Sequence, residues 1–313
     1  MAWLGVAPET ILQCGGFTAV LAPAAGGRLT RLMSADATTG QVKDWLVPLH
    51  EAVRAAGFEA TAWPKAGCYP LVPFSNRIRG GRFAFEGRSV QLPIHPGERH
   101  ALHGGSHRMP WHLIHQQAQS ATMVYRHAEG EHGWPWAFRA EQDVVLDGSG
   151  VALRLRVTNE SAMAMPCGCG FHPYFPADFA HSLQFRADTL WPPTADFLAL
   201  GPTQVEAQHD YAAPRTLPDL ELTQYYGGWD GQATLLSADG RSIHLRAEAL
   251  AHLVLHRPAG KGYFCVEPVS HVADAANLAQ QPQEGTGWQI LRPGETLACS
   301  VRIECLMRGS TGA

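Results

Sequence analysis

Charge is scarce in this chain. Only 17% of its 313 residues are Asp, Glu, Lys or Arg, below the usual quarter. No basic run stands out, and the formal net charge is −4, which gives nucleic-acid binding little support. No stretch approaches the ~18 uninterrupted apolar residues of a membrane span. The N-terminal Met1-Ala2-Trp3-Leu4-Gly5-Val6-Ala7-Pro8-Glu9 lacks the basic start and apolar core of a secretory signal. Seven cysteines are an odd number spread over a long chain, which fits reduced thiols in a cytoplasm better than a disulfide framework. Walker loops, G-x-S-x-G elbows and a G-x-G-x-x-G after a strand are all missing, so phosphoryl-transfer, hydrolase and dinucleotide chemistry lack support. The short cluster Cys167-x-Cys169-x-x-His172 has no second Cys/His pair at finger spacing, so no metal is expected.

Helix signals are sparse too. The best lies over 47–57, an Ala-rich run ended by Gly57. Turn residues abound instead, with 32 glycines and 22 prolines. Between them the apolar residues alternate with period two. Val151, Leu153, Leu155 and Val157 point one way, and Ala152, Arg154, Arg156 and Thr158 the other. With Asp147-Gly148-Ser149-Gly150 as its turn, 138–159 reads as a hairpin. Two more hairpins are predicted over 83–92 and 234–246, and strands over 110–117, 120–128, 252–257, 262–267 and 297–307. The proline-rich region 191–220 reads as a long surface excursion. No linker or repeat divides the chain. The expectation is one all-β domain over 1–313, a large antiparallel two-sheet sandwich rather than a barrel.

Four short motifs could carry chemistry. His172 lies in Gly170-Phe171-His172-Pro173-Tyr174-Phe175 after an apolar run, with Tyr174 and Phe175 as an aromatic platform for a ligand face. Glu267 closes the apolar strand Tyr263-Phe264-Cys265-Val266, where a carboxylate is costly unless hydrogen-bonded or functional. His103 precedes Gly104 and Gly105, which allow close approach of a ligand. Asn76 and Arg77, in Ser75-Asn76-Arg77-Ile78, offer an amide and a fixed cation suited to vicinal hydroxyls. His95, His100 and His107 have no such context and read as surface or loop residues. His271 and Asn277, beyond Glu267, read as organisers of their loop. An imidazole with an ordinary pKa of ~6.5 and a carboxylate of ~4.3 can give one proton and take another. Opening a cyclic aldose needs that pair of transfers, from opposite sides of the sugar, and no metal or cofactor.

In this order along the chain, these motifs resemble the aldose 1-epimerase (galactose mutarotase) family. The resemblance implies a large antiparallel β-sandwich and interconversion of aldose anomers, with a small-molecule sugar as the partner and a monomer or homodimer as the assembly. It implies that His172 is the general acid to the ring oxygen and Glu267 the general base toward the anomeric hydroxyl. Asn76, Arg77 and His103 would bind the substrate. Many mutarotases also carry an Asp for sugar hydroxyls in the last third of the chain. Here Thr223 falls at that place, with Asp219, Glu221 or Asp230 as compensating candidates, although Asp230-Gly231 reads more simply as a turn. Which sugar is bound therefore stays open. A hexose 6-phosphate mutarotase would need Arg77, Arg79, Arg82 and Arg99 gathered at the rim. A non-catalytic sugar-binding protein would not need the acid–base pair.

Overall fold

In the computed structural model, which describes residues 2–36, 39–280 and 284–307, the alternating segments form two large antiparallel sheets. The smaller has eight strands, in the spatial order His112–Gln116, Ser120–His127, Phe138–Asp147, Gly150–Asn159, Thr296–Leu306, Ser242–Glu248, Gln232–Leu236 and Ser182–Phe185. The larger has twelve. Its central run is Cys68–Leu71, Gly170–Pro173, Tyr263–Val269, His252–Arg257 and Leu222–Gly227.

Period-two alternation explains how the sheets pack. Leu153, Leu155, Val301 and Ile303 of the smaller sheet join one buried core with Phe171, Phe264, Val266, Leu253 and Leu255 of the larger. Burial of each such side chain contributes about 1.5–3 kcal/mol. The intervening residues of the larger sheet, Tyr69, Leu71, Tyr174, Val254, Cys265 and Val269, point to its other face and belong to a second cluster. That second face carries the site.

The predicted strands and hairpins are present, with ends shifted by a few residues. The helix is shorter than 47–57 and spans Glu51–Ala56. It starts where His50 Nδ1 accepts the Ala52 N–H at 3.2 Å, so Val47 and Leu49 precede it. The region 191–220 is no simple excursion. Its first residue, Trp191, is buried and ends the strand Thr189–Trp191, and Thr203–Gln204 pairs with that strand. A turn closed by Thr194, whose Oγ1 accepts the Leu198 N–H at 2.9 Å, holds Phe197. Its prolines hide this order from a periodicity reading.

Candidate active site

Four adjacent strands of the larger sheet, Gly170–Pro173, Tyr263–Val269, His252–Arg257 and Leu222–Gly227, present outward side chains to one cleft. His172 pairs in register with Tyr69, Glu267 with Val254, and Thr223 with His256. The cleft has a volume of about 260 Å³, near the small end of ligand pockets. His172, Glu267, His103, Asn76 and Arg77, scattered in sequence, all line it.

At its floor His172 Nε2 lies 3.4 Å from Glu267 Oε1. No sugar ring fits into that gap, so both groups stand on one wall of the cleft and do not face each other across it. The His172 ring stacks on Tyr69 at 4.8 Å and on Tyr174 at 4.6 Å. Tyr174 in turn receives the Trp63 indole N–H on its hydroxyl at 3.2 Å. Phe175, the other half of the expected platform, packs instead into the core between the sheets, because neighbours on a strand face opposite ways.

Burial sets the protonation of the pair. It pushes the Glu267 carboxyl up to about 8, against the smaller opposing pull of Arg77 and Lys65. It also holds the His172 imidazole well below its ordinary value, helped by the neighbouring His103 and Lys65. Burial thus favours the uncharged form of the pair, with its proton on the carboxyl rather than on the imidazole. From ordinary values the opposite holding would be expected.

The polar wall is built by local hydrogen bonds. His103 Nδ1 accepts the Asn76 N–H at 3.0 Å, which leaves Nε2 as the protonated, donating nitrogen. The Arg77 guanidinium donates twice to Glu98, at 2.7 and 3.0 Å, and lies 4.8 Å over the Phe197 ring. Behind it, His271 Nδ1–H donates to Val272 O at 2.7 Å while its Nε2 accepts the Ser75 N–H at 3.0 Å. Asn277 donates to Asp274 at 2.7 Å and to Arg82 O at 3.0 Å. His271 thus braces the Asn76–Arg77 segment through Ser75, Asn277 ties its own loop to Arg82, and neither lines the cleft.

Several expectations need correction. His95, His100 and His107 are buried. His95 lines the cleft against Trp63, and His107 stacks on Tyr69 at 5.0 Å. His100 accepts the Gly80 N–H and approaches Asp196 at 3.1 Å. The arginine rim does not assemble: Arg79 is tied to Asp274, Arg82 to Gln91, and only Arg77 of the four lines the cleft. Thr223 does line it, bonded to His256 Nδ1 at 2.9 Å. Asp219 and Glu221 bond instead to the Gly260 and Ala259 N–H groups, and Asp230 closes a turn through the Gln232 N–H. None of the three lines the cleft. Cys167 and Cys169 lie in the core between the sheets, facing away from His172. Sequence reasoning missed Trp63, Lys65, Tyr69, Glu98, Phe197 and His256. None sits in a motif, and cross-strand register or loop folding brings them in.

This site lies in a chain whose residues 12–304 match the sequence profile of the family described as Aldose 1-epimerase. The chain belongs to the aldose 1-epimerase family. Among its relatives is the uncharacterized protein YphB of Escherichia coli K12, 33% identical over 255 residues, which span 77% of this chain and 85% of that protein. A rat galactose mutarotase is 28% identical over 127 residues, 38% of this chain and 36% of that protein. The crystal structure of a candidate aldose 1-epimerase from Escherichia coli K12 superposes with a TM-score of 0.81 at 26% identity, covering 95% of this chain and 98% of that one. A galactose mutarotase-like protein from Clostridium acetobutylicum shares the fold, with a TM-score of 0.79 at 18% identity over 95% and 94% of the two chains.

Proposed function

We propose that this aldose 1-epimerase family member interconverts the α and β anomers of an unphosphorylated aldose, with residues 1–313 acting as one domain. The observation that carries the reading is the 3.4 Å approach of His172 Nε2 to Glu267 Oε1 in a cleft walled by aromatic rings and polar side chains.

Ring opening removes the proton of the anomeric hydroxyl and adds one to the ring oxygen. Both oxygens are bonded to the same carbon, so an acid and a base side by side on one wall suit them. In this reading Glu267 takes the anomeric proton and His172 supplies the ring oxygen. The free aldehyde then rotates and recloses on either face. The acting form, imidazolium beside carboxylate, contains the same single proton as the resting pair. A proton shift within the pair on sugar binding prepares it without exchange with solvent. Each positioned group contributes about 10²–10⁴-fold.

Arg77, Asn76 and His103 hold ring hydroxyls, while Tyr174 and Phe197 cover C–H faces. Where an Asp is common in mutarotases, the sugar meets the Thr223–His256 pair. The dispersed arginines favour an unphosphorylated sugar over a hexose 6-phosphate.

Polarimetry of freshly dissolved α-glucose, α-galactose and glucose 6-phosphate tests the reading. A neutral aldose should relax faster than the buffer-catalysed rate in proportion to enzyme. Saturable binding without acceleration would identify a sugar-binding protein instead.

A further inference from the structure

Beside the acid–base pair stands a buried thiol that proton transfer does not need. Cys265 is two residues before Glu267 on the same strand and the same sheet face, fully buried. His172, Cys265 and Glu267 each offer one ligand atom, and these atoms all lie within 4.8 Å of one another.

The His172–Glu267 spacing suits coordination, and the 4.8 Å bound on the three atoms leaves the thiol at most about 1 Å to close. Ligands held tetrahedrally at ~2.0–2.3 Å from zinc stand ~3.3–3.8 Å apart. The His172–Glu267 separation of 3.4 Å falls in that range. It exceeds the ~2.7–2.9 Å of a charge-assisted N–H···O bond. The rings of Tyr69 and Tyr174, stacked on His172, fix its plane.

We propose that His172 Nε2, Cys265 Sγ and a Glu267 carboxylate oxygen form a site for a thiophilic divalent ion of the zinc class, and that its occupancy inhibits the enzyme. One thiolate, one carboxylate and one neutral imidazole balance a doubly charged ion, so the buried complex is neutral. Binding releases two protons, one from the thiol and one from the pair. A sulfur ligand favours zinc and its softer relatives over magnesium and calcium. Among the described residues His172 Nδ1 has no hydrogen-bond partner, and lack of such outer support lowers metal affinity about 10–100-fold. The site is therefore a reversible one rather than a structural anchor. Metal binding here stands on geometry alone, whereas inhibition rests on the proposed function, because the ion occupies the lone pairs that move protons.

Cobalt(II) titration of the full-length, chelator-treated protein reads the site directly. One equivalent should give a near-ultraviolet thiolate-to-cobalt charge-transfer band, which zinc displaces and magnesium does not. Cys265→Ser should abolish the band, while Cys299→Ser should keep it. In polarimetry zinc should inhibit and EDTA restore the rate. Cys265→Ser should need at least about tenfold more zinc for half-inhibition of its own metal-free rate. Absence of the band, or its survival in Cys265→Ser, overturns the proposal. Since the cobalt spectrum needs no sugar, a band in a protein that does not speed mutarotation would uphold the site and defeat the proposed function. Mutarotation without a band would do the reverse.

Discussion

Glu267 and His172 face each other across 3.4 Å, and burial moves their proton affinities in opposite directions until their order is reversed. The carboxyl rises to about 8 and the imidazole falls well below its ordinary value.

The pH profile should record this reversal. The proposed mechanism needs one proton on the pair, so kcat/KM should fall on the alkaline side near 8, as the carboxyl loses it, and on the acid side well below 6.5, as His172 gains a second. Initial-rate polarimetry from acid to alkaline buffers checks it. A maximum confined between the ordinary values of ~4.3 and ~6.5 would mean that the site is wetter than its burial implies.

Glu267→Gln keeps shape and removes proton acceptance, so the rate should drop about 10²–10⁴-fold with little change in sugar affinity. Its stability should move with pH. A carboxyl with a raised folded-state pKa contributes stability below its ordinary value of 4.5, and loses it as pH rises through about 8. The variant should therefore gain in Tm relative to the parent when both are melted above pH 8 rather than near pH 5. An unchanged rate would make Glu267 a structural carboxyl.

Arg77→Ala removes a donor and also frees the Glu98 carboxylate that Arg77 holds with two hydrogen bonds. KM should rise by roughly tenfold or more, while kcat changes much less. A loss confined to kcat would place Arg77 in the chemical step.

Gly168→Ala tests the brace behind the site. A Cβ there would stand 2.0 Å from His271 Cδ2, displacing the imidazole that accepts the Ser75 N–H. Thermal melting should show a loss of about 1–3 kcal/mol, and KM should rise because Asn76 and Arg77 follow Ser75 directly. A variant with parental KM would show that the arginine segment holds without His271.

The strands were legible because alternation is a local signal: Val151, Leu153, Leu155 and Val157 read the same in sequence and in the sheet. His172 and Glu267 stood out because short motifs surround them. Tyr69 and His256 did not, since their place depends on which distant strand pairs with theirs. Phe197 was hidden among prolines, and His95 and His107 among other histidines. Protonation was illegible for a related reason. Dryness at Glu267 comes from the whole packed face, and no short run of residues encodes it.

The single-sided placement of the site on one pleated sheet makes it intolerant of insertions and deletions. Adding one residue within Gly170–Pro173 would swap His172 for Phe171 at the cleft, and one within Tyr263–Val269 would put Val266 in place of Glu267. Length changes in these two strands should abolish the site outright, whereas the exposed tip Glu129–Gly130 can lengthen freely. Engineered variation in chain length belongs at such tips, and variation in specificity belongs at in-place substitutions such as Thr223 and His256.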